Sequence, residues 1–342
     1  MIALLFERHG GPEVLQVGEL PDPIPGPGEV LVRVRACALN HLDVWTRNGL
    51  PHLKLALPHV LGSDVAGEIE AVGPGATGKP GTRVLVNPGL SCMRCEACLA
   101  GRDNLCREYR ILGEHVRGGN AQLLAIPEAN ILPFPTGMSF EDAAAIPLTF
   151  LTAWHMLAKK AQVRPGETVL VLGAGSGVGS AAVQIAKLLG ATVIATAGNA
   201  DKLARAKALG ADHVVNHAAG DFVAATKEIT NRRGADVVFE HVGAATWEKS
   251  ILSLAWGGRL VTCGATTGWD ARTDLRHVFY RQIQILGSTM GSKADLFEVL
   301  RHVEAGRLRP VVDRVLPLEQ AADAHRALEA RETFGKIVLR VD

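Results

Sequence analysis

Four cysteines crowd into one short stretch, Cys92, Cys95, Cys98 and Cys106, while Cys37 and Cys263 stand alone in apolar, strand-like segments. The spacing C-x-x-C-x-x-C, with a fourth cysteine eight positions on, lets one loop wrap four thiolates around a tetrahedral ion. Soft thiolates suit zinc. Two alternatives compete, four free or oxidised cysteines and an iron–sulfur cluster, but the fourth spacing and the absence of a Cys-Pro pair depart from the ferredoxin run. Four thiolates leave no open coordination position, so a zinc held here braces a loop and activates nothing.

A second constellation is built from glycines. The apolar run TVLVLG leads into Ala174, Gly175, Ser176, Gly177, Val178 and Gly179 and then into a helical pattern. Small residues at such a turn let backbone N–H groups and a helix N-terminus approach a pyrophosphate. Read strictly, G-x-G-x-x-G fails at Val178, and the pattern present is A-x-S-x-x-G. A carboxylate that would hold the ribose hydroxyls of NAD is expected at the end of the second strand. Here TVIATA ends in Gly198 and Asn199, and the first acid is Asp201, which is expected to cap or open the next helix. Without that acid nothing repels a 2′-phosphate, and Lys202 is close enough in sequence to meet one. NADP(H) is therefore expected over NAD(H).

The elements that must position these residues fall into two kinds. Up to about residue 125 the chain is rich in Gly, Pro and short β-branched runs, which predicts a barrel-like β domain. From about residue 130, helical periodicity alternates with buried strands through TVLVLGAG, TVIATAG, HVVN, ADVVFEHVG, GRLVTCG and QIQILGS. That alternation predicts a doubly wound parallel sheet, hence an α/β chain. An amphipathic helix, KADLFEVLRHVEAG, and an extended segment, FGKIVLRV, close the sequence.

The 342 residues, 47% hydrophobic and 21% charged, are ordinary for two globular domains. The 36 basic and 35 acidic residues nearly cancel, which argues against nucleic acid or an anionic membrane as partner. The opening MIALLFERHGGPEVL turns charged too soon for a spanning helix, and a cytoplasmic location is the expectation. The glycine turn lacks the Lys-Ser/Thr ending of a P-loop, and no Ser-His-Asp order is traceable.

Together the GGPEVL segment, the run AxxxNHLDVWTRNG, the segment LGSDVAGEIEAVG, the cysteine loop and the AxSxxG turn resemble the medium-chain dehydrogenase/reductase superfamily over essentially the whole chain. The resemblance implies a GroES-like β-rich catalytic domain over 1–128, with a structural zinc lobe at about 88–110. It further implies a Rossmann nucleotide-binding domain over 129–287 and a return to the catalytic domain over 288–342. Zinc alcohol dehydrogenases of that superfamily carry a second, catalytic zinc. This chain has Asn40 where a cysteine ligand is expected, Ser63 where a histidine is expected, and neither Cys nor Glu in PLTFLTAW. Asn40, Asp43 and the Gly62-Ser63-Asp64 segment instead resemble the quinone oxidoreductase branch, which works without metal, although the structural-zinc loop is an alcohol-dehydrogenase trait. By the same resemblance Gly198, Lys202 and Arg331 meet an NADP phosphate and His217 stands where an aromatic residue is common. Thr152 faces the nicotinamide, and Val242, Gly243, Cys263, Gly264, Ala265, Gly287 and Ser288 are strand-end cofactor contacts. The resemblance also implies a homodimer or homotetramer formed through the Rossmann domain, with a small-molecule substrate.

The missing ligands bear on the chemistry. Alcohol–ketone hydride transfer passes through alkoxide character, with a pKa of about 16 for an uncoordinated hydroxyl. Quinone or enone reduction leaves a phenolate- or enolate-like oxygen, with a pKa nearer the tyrosine value of about 10. Neutral donors can stabilise that, so Asn40, His41, Asp43 and Ser63 are the candidate catalytic group for reduction of quinones or activated enones. Two rivals stay open: a zinc alcohol dehydrogenase, and a non-enzymatic NADPH-binding protein. His41, His52, His59, Asp43 and Asp64 are either an alternative metal cluster or packing and surface side chains.

Overall fold

A computed structural model describes residues 1–51 and 53–341. They divide into two compact units, one comprising Met1–Leu148, Ser292–Ala305 and Arg309–Asp342, the other Thr149–Gly291 and Gly306–Leu308.

The first unit is built on a seven-stranded sheet around Glu29–Ala38. Along this strand Val30, Val32 and Val34 are buried in the core while Arg33 and Arg35 turn to the other face, the two-residue alternation of a pleated strand. Across the ladder Arg33 holds Glu70 at 2.7 Å and Arg35 holds Glu68 at 2.8 Å, ion pairs that favour the observed register over a one-residue slip. At its far end Ala38 pairs antiparallel with both Asp64 and Val338. This double pairing gathers the beginnings or ends of three strands, and with them Asn40, Asp64 and Lys336, at one edge of the sheet.

Just beyond that edge the helix His41–Asn48 starts from Asn40 in a reciprocal cap: Asp43 accepts the Asn40 backbone N–H at 2.7 Å. Arg47, fully buried, ties this helix to Ala321–Glu329 by donating to Glu329 at 2.7 Å and meeting His325 Nδ1 at 3.0 Å. His325, buried beside that guanidinium, is pushed down to about 3 by desolvation first and the Arg47 charge second, so it stays neutral and accepts.

The second unit carries a six-stranded sheet, every pairing parallel. Counted along the chain, its strands lie in the order 3-2-1-4-5-6, from His213–Asn216 at one edge through Thr168–Val171 to Gln284–Gly287 at the other. This is the Rossmann order, with the direction of winding reversing beside Thr168–Val171.

The divisions at 148/149 and 291/292 lie beyond the expected 128/129 and 287/288. The reason for the larger shift is pairing: Ile131–Pro133 adds to Arg83–Val86, and Phe140–Ala144 packs on Glu29–Ala38 and Asp64–Val72. Among the described residues no helix is long and apolar enough to cross a membrane.

Candidate functional site

In the cysteine loop the sulfurs of Cys92, Cys95, Cys98 and Cys106 all lie within 4.8 Å of one another, with Cys92–Cys98 at 3.9 Å and Cys95–Cys98 and Cys92–Cys106 at 3.5 Å. A zinc–sulfur tetrahedron with bonds of about 2.3 Å has edges of about 3.8 Å, so the four side chains already fit the ion. The N–H groups of Arg94 and Cys95 point at Cys92 and bring its thiol down to about 6, favouring the thiolate that zinc requires. Asp103 anchors the lobe by accepting the Lys293 backbone N–H at 2.9 Å. Among the described residues no second group of three His, Cys, Asp or Glu side chains lies within ligating reach. The cluster considered around His41, His59, Asp43 and Asp64 is therefore not assembled as a metal site; His52 lies outside the described residues. His59 instead meets the Gly113 carbonyl at 3.2 Å.

Of the catalytic candidates, three have their polar atoms engaged within the first unit. Asn40 donates from Nδ2 to Asp64 Oδ2 at 2.9 Å and accepts on Oδ1 from the Lys336 ammonium at 2.5 Å. Ser63, fully buried, donates to the Leu112 carbonyl at 2.7 Å. Asp43 also accepts the Gly62 N–H at 3.0 Å, and burial raises it to about 6. His41 alone keeps a partly exposed ring. Burial lowers its pKa first, then the charges of Arg331 and Lys336, opposed by Glu329, so near pH 7 it is a neutral imidazole with one N–H to give. Lys336 lay unnoticed in the sequence, where it reads as one more residue of a closing strand. Arg331 belongs to this first unit, where its charge acts on His41.

The second unit gathers the cofactor candidates at the carboxyl ends of its strands. Ser176 caps the helix Gly177–Leu188 by accepting the Gly179 N–H at 2.9 Å. A Cβ on Gly179 would lie 2.3 Å from the Gly173 carbonyl, so only glycine lets the helix start this close to the strand. The remaining first-turn N–H groups have no place in the helix's own ladder, which is what an anion needs there. Val242 and Gly243 turn around the buried Glu240, which accepts both of their N–H groups at 3.1 Å. Cys263, Gly264 and Ala265 follow the strand Leu254–Thr262; Gly287 ends the edge strand, and the Ser288 N–H bonds to Thr262. Thr152 is buried in the helix Pro147–Trp154.

At the end of the second strand Asn199, not Asp201, caps the following helix by accepting the Lys202 N–H at 2.9 Å; Asp201 sits inside the first turn. Gly198 is open enough that an added Cβ would first meet His217 Nε2 at 3.5 Å. One neighbour escaped the sequence reading: His241 reaches the Leu172 carbonyl at 2.9 Å and lies 3.4 Å from Ser176 Oγ, beside the phosphate turn. Since a carbonyl only accepts, His241 Nε2 carries its proton there.

Comparison with known proteins gives this architecture its class. Residues 26–136 match the profile of the alcohol dehydrogenase GroES-like domain and residues 177–305 that of the zinc-binding dehydrogenases. The chain is 35% identical to an alcohol dehydrogenase of Geobacillus stearothermophilus, over the whole of both. It is 33% identical to a quinone oxidoreductase of Pseudomonas aeruginosa, over 98% of each. A crystal structure of an NAD-dependent alcohol dehydrogenase superposes with a TM-score of 0.97 at 58% identity, covering both chains completely. The chain belongs to the medium-chain dehydrogenase/reductase superfamily. It is an NAD(P)-dependent oxidoreductase acting on small molecules, and the non-enzymatic reading falls away.

Glu114 generates a prediction about stability in the first unit. It is buried, and desolvation with the nearby Asp43 charge raises it to about 7. A folded-state pKa above the unfolded value of about 4.5 means stability present at low pH and lost as pH rises through 7. Glu114→Gln should thus be more stable than the parent by about 1–3 kcal/mol at pH 8 relative to pH 5. Thermal midpoints of both proteins at the two pH values measure this; parallel losses would remove Glu114 as the source.

Proposed function

We propose that the protein reduces quinones or activated enones with NADPH and does so without a catalytic zinc. One observation carries the reading. The three segments where the catalytic-zinc ligands are expected converge on a carboxylate and an ammonium: Asn40 and Lys336 share Asp64 Oδ2, at 2.9 and 2.8 Å, and Leu148 of the PLTFLTAW stretch donates its N–H to Asp64 Oδ1 at 2.6 Å. Asn40 and Ser63 are not free to bind a metal or an acceptor. A divalent ion added beside this ammonium would meet like-charge repulsion and a donor set poor in anionic ligands.

Bound NADPH would supply the hydride. His41 gives its single N–H to the oxygen on which charge develops, Asp43 holds the helix that presents His41, and Asn40 with Ser63 shapes the wall behind it. An enolate or phenolate needs only such neutral donors, whereas an alkoxide asks for a cation in direct contact. NADP(H) preference is supported by the absence of an acid at Gly198, by the use of the Asn199 side chain as a cap, and by Lys202 on the helix that follows. A homo-oligomer formed through the edge strand Gln284–Gly287 is supported by the exposed aromatics beside it, Trp256 at 65%, Phe279 at 69% and Tyr280 at 67%.

The function is tested by counting zinc in the purified protein while assaying NADPH oxidation against 1,4-benzoquinone. One zinc per chain with turnover that survives chelation of loosely held metal is expected; two zincs and chelator-sensitive alcohol oxidation would establish the alcohol-dehydrogenase reading instead. For the cofactor, Gly198→Asp should raise the KM for NADPH roughly tenfold or more and leave that for NADH within about threefold. An unchanged ratio of the two would place the discrimination elsewhere. Light scattering should give a mass of at least twice the chain, and Phe279→Glu should lower it; a parent monomer at micromolar concentration would end the oligomer proposal.

A further inference from the structure

Lys336 opens the strand Lys336–Arg340, and its side chain is 4% exposed. Burying an ammonium is expensive, and in a site that served only packing an apolar residue of similar length would be the cheaper choice. The position is rigidly held. The Lys336 N–H bonds to Val311, the neighbouring Phe334 N–H bonds to Asp313 at 3.0 Å, and the strand pairs on both sides. The ammonium then meets Asp64 Oδ2 at 2.8 Å and Asn40 Oδ1 at 2.5 Å, the second of these being the residue that stands in place of a zinc-ligating cysteine.

We propose that Lys336 is the resident cation of this site, a positioning residue that stands where a metal would by locking Asn40 and Asp64 in place. This deepens the metal-free reading above and rests on it. The charged groups that act on His41 are Arg331, Lys336 and Glu329; the first two disfavour its protonation and the third opposes them. Lys336 has a consequence that a packing residue lacks. Burial does most to keep His41 neutral, Arg331 comes next and Lys336 adds to both, and its charge lowers the cost of negative charge developing nearby without entering the reaction as an acid.

The test uses the full-length zinc-loaded protein and three variants: Lys336→Met combined with Asp64→Asn, which leaves no unpaired buried charge, Lys336→Gln, which is the milder probe, and Lys336→Arg, which keeps the charge. Kinetics are read with NADPH and 1,4-benzoquinone from pH 5 to 9, with zinc content and NADPH affinity measured alongside. The double variant and Lys336→Gln should keep one zinc and an NADPH Kd within about twofold and lose roughly 10- to 100-fold in kcat, and Lys336→Gln, which removes the cation alone, should move the acid limb of kcat/KM to higher pH. Lys336→Arg should recover most of kcat and the parental acid limb. Folded variants with one zinc, unchanged kcat and an unmoved acid limb would reduce Lys336 to a structural residue while leaving the metal-free reading intact. A zinc count of two would sink both. If benzoquinone is not turned over, the substrate reading fails, and this inference is decided by NMR titration of the His41 imidazole. Its pKa should rise in Lys336→Gln, which removes the cation alone, and no rise there overturns the proposal.

Discussion

A buried ammonium–carboxylate contact, Lys336 to Asp64 at 2.8 Å, is the interaction on which the first unit's site turns. Neither charge could be buried alone, since the desolvation penalty of a lone ion runs to several kcal/mol. Each therefore constrains the other. Asp64 sits at the start of one strand and Lys336 at the start of another, and both flank Glu29–Ala38, so meeting requires all three strands to keep register. Asn40 lies beyond the end of the shared strand and bonds to both members of the pair. Sheet register, helix start and site chemistry are one constraint expressed at three levels.

On the proposed metal-free reading, that constraint also explains how these segments hold together without a zinc ligand set. In a tetrahedral site the ion joins segments that would otherwise repel or leave donors unpaired. Here Asp64 joins the same segments, accepting from Asn40, Lys336 and the Leu148 backbone. Asp43 does related work, holding Asn40 and Gly62 by their N–H groups. The cysteine lobe is independent of all this, with its ligands supplied by residues 92 to 106 alone.

The difference between the two sites decides what could be read from the sequence. The cysteine loop and the A-x-S-x-x-G turn are local: their ligands or donors lie within fifteen residues of one another, and spacing alone encodes their geometry. Their shapes were legible, as was the alternation that builds the parallel sheet. The role of Asn40 was not. Its amide looked like a free donor because its partners are Asp64, 24 positions away, and Lys336, 296 positions away. Nothing in the composition of a closing strand marks one lysine as buried, since Lys is among the residues least often found inside. His241 was hidden for the same reason, its place beside Ser176 arising from strand order and not from sequence proximity.

The resemblance to both alcohol dehydrogenases and quinone oxidoreductases then acquires a physical meaning. A structural zinc stabilises a lobe whatever the active site does, so it persists as a mark of descent without constraining the acceptor. The acceptor is constrained by what can stabilise its oxygen. A metal in direct contact serves an alkoxide; a neutral imidazole backed by a paired, buried ammonium serves an oxygen that is already a weak base. On the proposed reading the Lys336 charge, paired with Asp64, backs the neutral His41 N–H and does not itself touch the acceptor.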